Sequence, residues 1–322
     1  MEISGVRSNI CTCTSGVPQG SVLGPFLFNV FINDLSSVLM CNHLMYADDL
    51  KIYRCISSFT DHMLIQSDIN NLIMWCSLNH LTLNASKCKV VAFHRTRQEL
   101  VYNYSISGID LERVESIQDL GIYFDKSLSF KTHISFVTSS AYKMLGFIKR
   151  NCKQFNNIDS LKLLYTSLVR SRLEYGATIW YPYYAIHQQS IEKVQRNFAK
   201  YLLYKISGEY PARGYDHSTL LGEVSLYSIV HRITLAQIKF LFHLIHMNIT
   251  SDELLSKIPI HVPHVNTRFP AIFYTKKYRT NIGHLSPISN ACNSYNIYCK
   301  DRDLFSESLR YLLLAVSEQF KH

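Results

Sequence analysis

Apolar positions in the first third of the chain follow two different periods, which predict alternating helices and strands. A short apolar and aromatic run over residues 43–55 is interrupted by Asp48-Asp49, and this pattern predicts a β-hairpin with both aspartates at its turn. Apolar residues spaced three and four positions apart predict helices over residues 26–40 and 58–79. The second helix is predicted to be capped by Ser58 or Thr60. Residues 81–83 and 88–93 are predicted as strands around a turn at Asn84, and residues 120–124 as one arm of a second hairpin.

After Asp125 the pattern becomes helical. Apolar stripes predict helices over residues 131–152, 160–175, 190–205, 226–247 and 304–320. Residues 258–287 carry four of the eight prolines and are predicted to form an irregular connector. The chain is therefore expected to be α/β first and mostly α afterwards.

The composition indicates a globular chain in a reducing compartment. Hydrophobic residues make up 47% of the chain and charged residues 18%, and no apolar run reaches the roughly 18 residues of a membrane span. Nine cysteines at scattered spacings predict free thiols, no disulfide partner and an intracellular location in cytoplasm or nucleus. Cys11-x-Cys13 and Cys41-x-His43 together offer four zinc ligands, but their spacing fits no zinc-finger pattern well.

Positive charge is concentrated in the middle of the chain. Residues 1–125 hold 8 basic and 12 acidic side chains. Residues 126–206 hold 13 basic and 3 acidic side chains, and residues 207–322 hold 12 basic and 9 acidic side chains. A basic segment after a mildly acidic one suggests a polyanion-binding element beside a cation-holding site. Lys143 and Arg150 are two helical turns apart and Lys149 is on the same predicted helix, so these three are candidate phosphate contacts. A solvated helix face that binds nothing remains the alternative.

Tyr46-Ala47-Asp48-Asp49 carries the clearest candidate chemistry. Nucleotidyl transfer by two metal ions needs carboxylates on a rigid scaffold that hold two Mg²⁺ about 4 Å apart. A tight turn between apolar strands exposes adjacent carboxylates in this way, and Mg²⁺ prefers such hard oxygen ligands. The alternative is an ordinary turn, because Asp is a common turn residue.

Other segments carry a resemblance to a known family. The block Ser15-Gly16-Val17-Pro18-Gln19-Gly20-Ser21-Val22-Leu23-Gly24-Pro25, the following Ile32-Asn33-Asp34-Leu35 and the spacing to the aspartates closely resemble LINE-type reverse transcriptases of non-long-terminal-repeat retrotransposons, in particular jockey-like elements. Residues 84–93 with Lys87 look like the next palm motif of that family, and Leu120-Gly121-Ile122 looks like its primer-grip hairpin. Leu173-Glu174-Tyr175-Gly176, Trp180 and residues 191–199 look like its thumb and the region beyond, and the resemblance weakens after about residue 250.

The resemblance implies an α+β fold and an RNA-directed DNA polymerase. It implies a partial polymerase palm (an antiparallel sheet with helices) over residues 1–125, a basic helical thumb over 126–206 and a mostly helical region over 207–322. It implies two Mg²⁺ as cofactors, and an RNA template, a DNA primer and deoxynucleoside triphosphates as partners. Asp48 and Asp49 would be catalytic metal ligands, and Lys87 would neutralise or protonate the pyrophosphate leaving group, unless it is only a solvated lysine. The implied substrate- and template-binding residues are Pro18, Gln19, Gly20, Tyr46, Ala47, Leu120 and Gly121.

The chain departs from that family at one catalytic position. The resembling polymerases take a further metal-binding aspartate from a strand before the Gln19 block, whereas here fourteen residues precede Ser15 and Glu2 is the one acid among them. The fingers would lie upstream as well. We therefore expect a truncated polymerase that is inactive by itself, and the alternative is a nucleic-acid-binding remnant without chemistry.

Overall fold

A computed structural model describes most of the chain. The described residues are 2–3, 5–7, 16–17, 20–94, 100–261, 271–274, 277–284, 286–300 and 302–320. The chain divides into two compact units, Met1–Glu115 and Ser116–His322. The division into palm, thumb and C-terminal region at residues 125 and 206 is a functional one and stays a prediction.

The first unit is built from short strand pairs and two principal helices. Its elements are β1 (Glu2–Ile3), β2 (Val6–Arg7), α1 (Gly24–Ile32) followed by a 3-10 helix (Asn33–Val38), β3 (Asn42–Tyr46), β4 (Asp49–Tyr53), α2 (Phe59–Leu78), β5 (Lys89–Val90), β6 (Ser105–Ile106), β7 (Ile109–Asp110) and β8 (Glu112–Arg113). Pro25 stands in the first turn of α1, where its missing N–H costs nothing. Ser58 caps α2 in a reciprocal capping box with Asp61. Both predicted helices are confirmed.

The apolar faces of α1 and α2 meet in a small core. Its buried members are Ile32, Leu35, Leu39, Leu72, Trp75 and Cys76, and Leu50 and Ile52 of β4 pack against them. The β3–β4 hairpin therefore rests on helices, which a two-stranded hairpin needs because it is at best marginally stable alone in water.

The strand predictions for this unit were partly wrong. Residues 81–83 form no strand, and the predicted strand 88–93 is reduced to β5, which pairs in parallel with β8. The predicted turn at Asn84 does form, and the amides of Lys87 and Cys88 donate to carbonyls three residues back at 3.0 and 3.1 Å. These turn bonds occupy backbone groups that a strand ladder would need. Leu83 is instead held by side-chain packing.

The fold is mixed helix and sheet, as the α+β prediction requires, but the sheet is divided. Five two-stranded pairs are present in the described residues, four antiparallel and one parallel, and the predicted single antiparallel sheet does not form among them. Most of these strands are only two residues long, so each pair depends on the packing of its side chains rather than on a shared ladder.

The second unit is mostly helical. Its elements are β9 (Ser116–Asp119), β10 (Ile122–Asp125), α3 (Lys131–Asn151), α4 (Ile158–Tyr165), a π-helical turn (Thr166–Arg170), α5 (Ser171–Glu174), α6 (Ala177–Trp180), α7 (Ala185–Ser207), α8 (His217–Glu223), α9 (Ile229–Ile245), α10 (Asp252–Leu255), α11 (Asn281–His284), α12 (Pro287–Tyr298) and α13 (Leu309–Gln319). The five helices predicted for this part of the chain all form, whereas α8 and α12 were not predicted. Among the described helices none is long and apolar enough to cross a membrane.

Two hydrophobic cores stabilise this unit. One joins Ile122 of β10 to buried residues of α3 through α9, and the other joins the second half of α9 to α12 and α13. The tract predicted as an irregular connector, residues 258–287, contains in its described parts a single bridge between Ile260 and Phe273 and the short α11.

The β9–β10 hairpin is docked on the segment between α5 and α6. The Tyr175 hydroxyl donates to the Leu120 carbonyl at 2.9 Å, and the Trp180 indole N–H donates to the Tyr175 carbonyl at 2.8 Å. Gly176 has φ +61, and a Cβ at this position would lie 2.6 Å from Cδ1 of Ile122. Glycine is therefore required here for both conformation and space.

We predict that Gly176→Ala destabilises the chain by about 1–3 kcal/mol, because the added methyl overlaps Ile122 in a packed core. The matched control is Gly222→Ala on α8, where a Cβ meets no atom within 4 Å. That control should be neutral or slightly stabilising. Urea unfolding followed by circular dichroism measures both, and equal midpoints for the two variants would contradict the docking described above.

Candidate active site and nucleic-acid interface

The Tyr46-Ala47-Asp48-Asp49 segment closes the β3–β4 hairpin, with Asp48 in the turn as predicted and Asp49 as the first residue of β4. Tyr46 pairs with Asp49 across the ladder, so Ala47 and Asp48 form a two-residue turn. Ala47 has φ +51, a conformation that this tight reversal imposes on a non-glycine residue. Asp48 and Asp49 are both exposed to solvent. Two adjacent carboxylates are thus presented at the tip of the hairpin.

Polar contacts to α2 fix both ends of this hairpin. Asp68 is 1% exposed, and its carboxylate accepts the amide N–H groups of Met40 at 3.0 Å and of Cys41 at 2.6 Å, just before β3. After β4, the Arg54 guanidinium donates to Asp61 at 2.8 Å and, with backbone amides, holds the pKa of that carboxyl well below its usual range. The aspartate tip is therefore carried by strands anchored on a 20-residue helix.

The carboxylate pair has the donor chemistry for a divalent ion but does not complete a site. Carboxylate oxygens are preferred ligands of Mg²⁺. In the part of the chain that the structure describes, no group of three or more His, Cys, Asp or Glu side chains could hold a metal. The structure adds no support for the alternative zinc site. The His43 ring nitrogen lies against the Cys41 carbonyl, and Cys11 and Cys13 lie outside the described residues.

The predicted site residues away from the hairpin show no contact with the pair among the described residues, or they fall outside the described residues. Lys87 is exposed in the turn after Asn84, and no contact joins it to Asp48 or Asp49 among the described residues. Gly20 is exposed with φ +81. Pro18 and Gln19 lie outside the described residues.

Leu120 and Gly121 form the turn of the β9–β10 hairpin. Asp119 pairs with Ile122, so these two residues close the turn, and both have positive φ, +43 and +84. The prediction placed them on an arm of the hairpin, and that was wrong by two positions. A leucine at positive φ is uncommon because its Cβ crowds the backbone. The Tyr175 hydroxyl, bound to the Leu120 carbonyl, holds this turn in place.

One face of α3 alternates cations with aromatic rings. Lys143 and Arg150 are exposed, and Phe136 and Phe147 are 49% and 51% exposed. At 100° per residue all four fall within a narrow stripe along the helix. We call these four residues the α3 stripe. The aromatic members were missed at the sequence level because a phenylalanine at helical spacing predicts core packing by default.

Lys149 is directed away from the α3 stripe. Its ammonium donates to the Asn197 carbonyl at 3.1 Å and lies 5.5 Å from the centre of the Tyr201 ring. Burial lowers the pKa of this lysine. The prediction grouped Lys149 with Lys143 and Arg150, but adjacent helical residues point about 100° apart, and Lys149 contacts α7 instead of solvent.

Comparison with known proteins identifies the family of this chain. The family model for reverse transcriptase (RNA-dependent DNA polymerase) matches residues 2–163, about half of the chain. The chain belongs to the reverse transcriptase family. The matched segment contains both hairpins and α3. No solved structure matches the chain.

The curated relatives of this chain have low sequence identity to it, and all of them are RNA-directed DNA polymerases of mobile elements. The chain is 28% identical over 219 residues to the RNA-directed DNA polymerase from mobile element jockey of Drosophila funebris, covering 63% of this chain and 23% of that protein. It is 28% identical over 178 residues to the probable RNA-directed DNA polymerase from transposon BS of Drosophila melanogaster, covering 52% and 20%. It is 25% identical over 199 residues to the probable RNA-directed DNA polymerase from transposon X-element of Drosophila melanogaster, covering 58% of this chain and 21% of that protein. The resemblance to LINE-type retrotransposon reverse transcriptases is confirmed, and the chain spans about a fifth of the length of the curated relatives it matches.

Proposed function

We propose that this chain supplies the metal-binding hairpin and a duplex-binding surface of an RNA-directed DNA polymerase, and that it does not polymerise by itself. The observation that carries the proposal is the exposed Asp48-Asp49 pair at a two-residue turn anchored on α2. In this proposal residues 1–125 act as palm, residues 126–206 as thumb, and residues 207–322 support the thumb.

Asp48 and Asp49 would hold divalent ions, which when bound stabilise the charge that develops during phosphoryl transfer. Tyr46 and Ala47 would border the incoming nucleotide, together with Pro18, Gln19 and Gly20. Leu120 and Gly121 would contact the primer, since their turn is rigidly seated. The polymerase as a whole would take an RNA template, a DNA primer and deoxynucleoside triphosphates.

Two carboxylates leave a pair of metal ions under-coordinated. Loss of a central metal ligand commonly costs several powers of ten in rate. Because no third acidic ligand accompanies the pair in the described residues, we propose that a working two-metal site needs at least one further oxygen ligand besides Asp48 and Asp49.

We predict that the 322-residue chain binds Mn²⁺ at the hairpin tip yet extends no primer. Mn²⁺ binding, measured by electron paramagnetic resonance, should weaken at least about tenfold in the Asp48→Asn/Asp49→Asn double variant, because the two charged ligands are lost. The control is Asp34→Asn/Asp110→Asn, which removes two exposed carboxylates elsewhere in the same unit. Primer extension on poly(rA)·oligo(dT) that disappears with Asp48→Asn would refute the proposed inactivity.

A second candidate function, nucleic-acid binding without chemistry, is favoured by the α3 stripe. Residues 126–206 carry 13 basic and 3 acidic side chains, and Lys143 and Arg150 lie exposed on one helix face. Such a face can follow a phosphate backbone without reading sequence. The two functions share this surface and differ in whether the aspartate pair binds metal.

We predict that Lys143→Gln/Arg150→Gln lowers affinity for a primer–template duplex and flattens its salt dependence. Each phosphate contact releases counterions, so the slope of log K against log salt should fall by about 0.9 per lost contact on B-form DNA. The matched control is Lys239→Gln/Lys300→Gln, which removes two exposed charges elsewhere in the same unit. Fluorescence anisotropy across a salt series measures both, and identical slopes in the two variants would exclude the α3 stripe as the binding face.

A further inference from the structure

A groove opens in the second unit beside the Leu120–Gly121 turn. It encloses about 330 Å³ and is lined by residues of the turn, of α3 and of α5. The lining residues used below are Gly121, His133, Phe136, Ser140, Arg172 and Tyr175. This volume is at the small end for ligand sites in proteins, which fits a single small unit of a ligand and excludes a duplex.

Arg172 gives the groove a fixed cation. Its Nε donates to the Leu168 carbonyl at 3.0 Å and its Nη1 donates to the Ser140 hydroxyl at 2.9 Å. A guanidinium has five N–H groups, so these two bonds orient it and leave three for a ligand. No acidic side chain lines the groove in the described structure. An oriented arginine without a carboxylate partner in the groove suits a phosphate group.

Aromatic side chains supply the other surface of the groove. Phe136 is 49% exposed and Tyr175 is 59% exposed, although both line a concave site. The bond from the Tyr175 hydroxyl to the Leu120 carbonyl fixes the orientation of that ring. Exposed rings of this kind stack on nucleobases, and stacking is worth about 1–3 kcal/mol per base.

His133 forms a buried part of the groove lining. It is 1% exposed, and its Nδ1 accepts the Tyr123 amide N–H at 3.3 Å. Burial lowers the pKa of His133 to about 4, so the ring is neutral and carries its proton on Nε2, as the hydrogen-bond network assigns it. That Nε2 is buried without a hydrogen-bond partner, and the ring packs edge-on with Trp180 at 4.7 Å between ring centres.

We propose that this groove binds one unpaired nucleotide, with its phosphate on Arg172 and its base against Phe136 and Tyr175. The base must be unpaired, because a base inside a duplex has its faces covered by its neighbours. The inference rests on the proposed function in one respect: the groove adjoins the α3 stripe, with which it shares Phe136, so the nucleotide would be one that leaves a bound duplex. The same chemistry would also accept a free nucleoside monophosphate.

The test uses the full chain and three small probes: deoxyadenosine monophosphate, deoxyadenosine and inorganic phosphate, each observed by ligand NMR. Two duplexes, one blunt and one with a single unpaired 3′ nucleotide, are compared by fluorescence anisotropy. Arg172→Gln and Phe136→Ala should each weaken binding of the monophosphate or of the overhang duplex about 5- to 150-fold, the range that base stacking implies. Lys239→Gln is the control and should change neither.

The arms of the test separate the two sources of the ligand. Monophosphate binding sensitive to both variants indicates a free nucleotide, and sensitivity confined to the overhang duplex indicates a strand end. Arg172→Lys keeps the charge and Phe136→Leu keeps the bulk of the side chain. These two variants control for misfolding and should lose less affinity than Arg172→Gln and Phe136→Ala. If all four variants remain folded by circular dichroism and bind every probe as the wild type does, the inference is overturned. Binding of the blunt duplex tests the α3 stripe separately. If Lys143→Gln/Arg150→Gln leaves the affinity for the blunt duplex unchanged, the proposed function fails, whatever the groove binds.

Discussion

Both candidate sites depend on one constraint: a two-stranded hairpin is marginal in water unless a helix supports it. The β3–β4 hairpin gains that support from Leu50 and Ile52, which pack on the core of α1 and α2, and from buried Asp68. The β9–β10 hairpin gains it from Ile122, which is 4% exposed in the larger core, and from Tyr175 at its turn. In each case the side chains of the strands pack on the helices, and this packing holds the turn in one place. The turn itself is exposed and is therefore available for a ligand.

The sequence predicted those parts of the molecule that local pattern determines. Both hairpins and the long helices follow from apolar periodicity and capping residues such as Ser58. The strand over residues 81–83 failed because a short apolar run does not determine a partner strand, and the Leu81 amide donates to the Cys76 carbonyl at the end of α2 instead. The contact of Lys149 with Asn197 was not predicted either, since it joins residues 48 positions apart. The groove at Arg172 could not be predicted, because it exists only after the turn, α3 and α5 are brought together.

Charge is distributed along the chain in the way that the proposed chemistry requires. The first 125 residues have an acidic excess and present the aspartate pair, whereas residues 126–206 have a strong basic excess. Metal ions on the pair would offset the repulsion between two adjacent carboxylates, and a phosphate backbone would neutralise the α3 stripe. Membership of the reverse transcriptase family agrees with this arrangement.

The central claim, which both candidate functions share, is that nucleic acid binds the second unit at the Leu120–Gly121 turn and the α3 stripe. Photocrosslinking of a primer–template duplex that carries 4-thiothymidine, followed by mass spectrometry of the crosslinked peptides, tests it most directly. The account predicts crosslinks concentrated in peptides that contain residues 116–125 and 131–151, and lost at high salt because the contacts are largely electrostatic. Crosslinks confined to residues 207–322, or spread evenly over the chain, would contradict it.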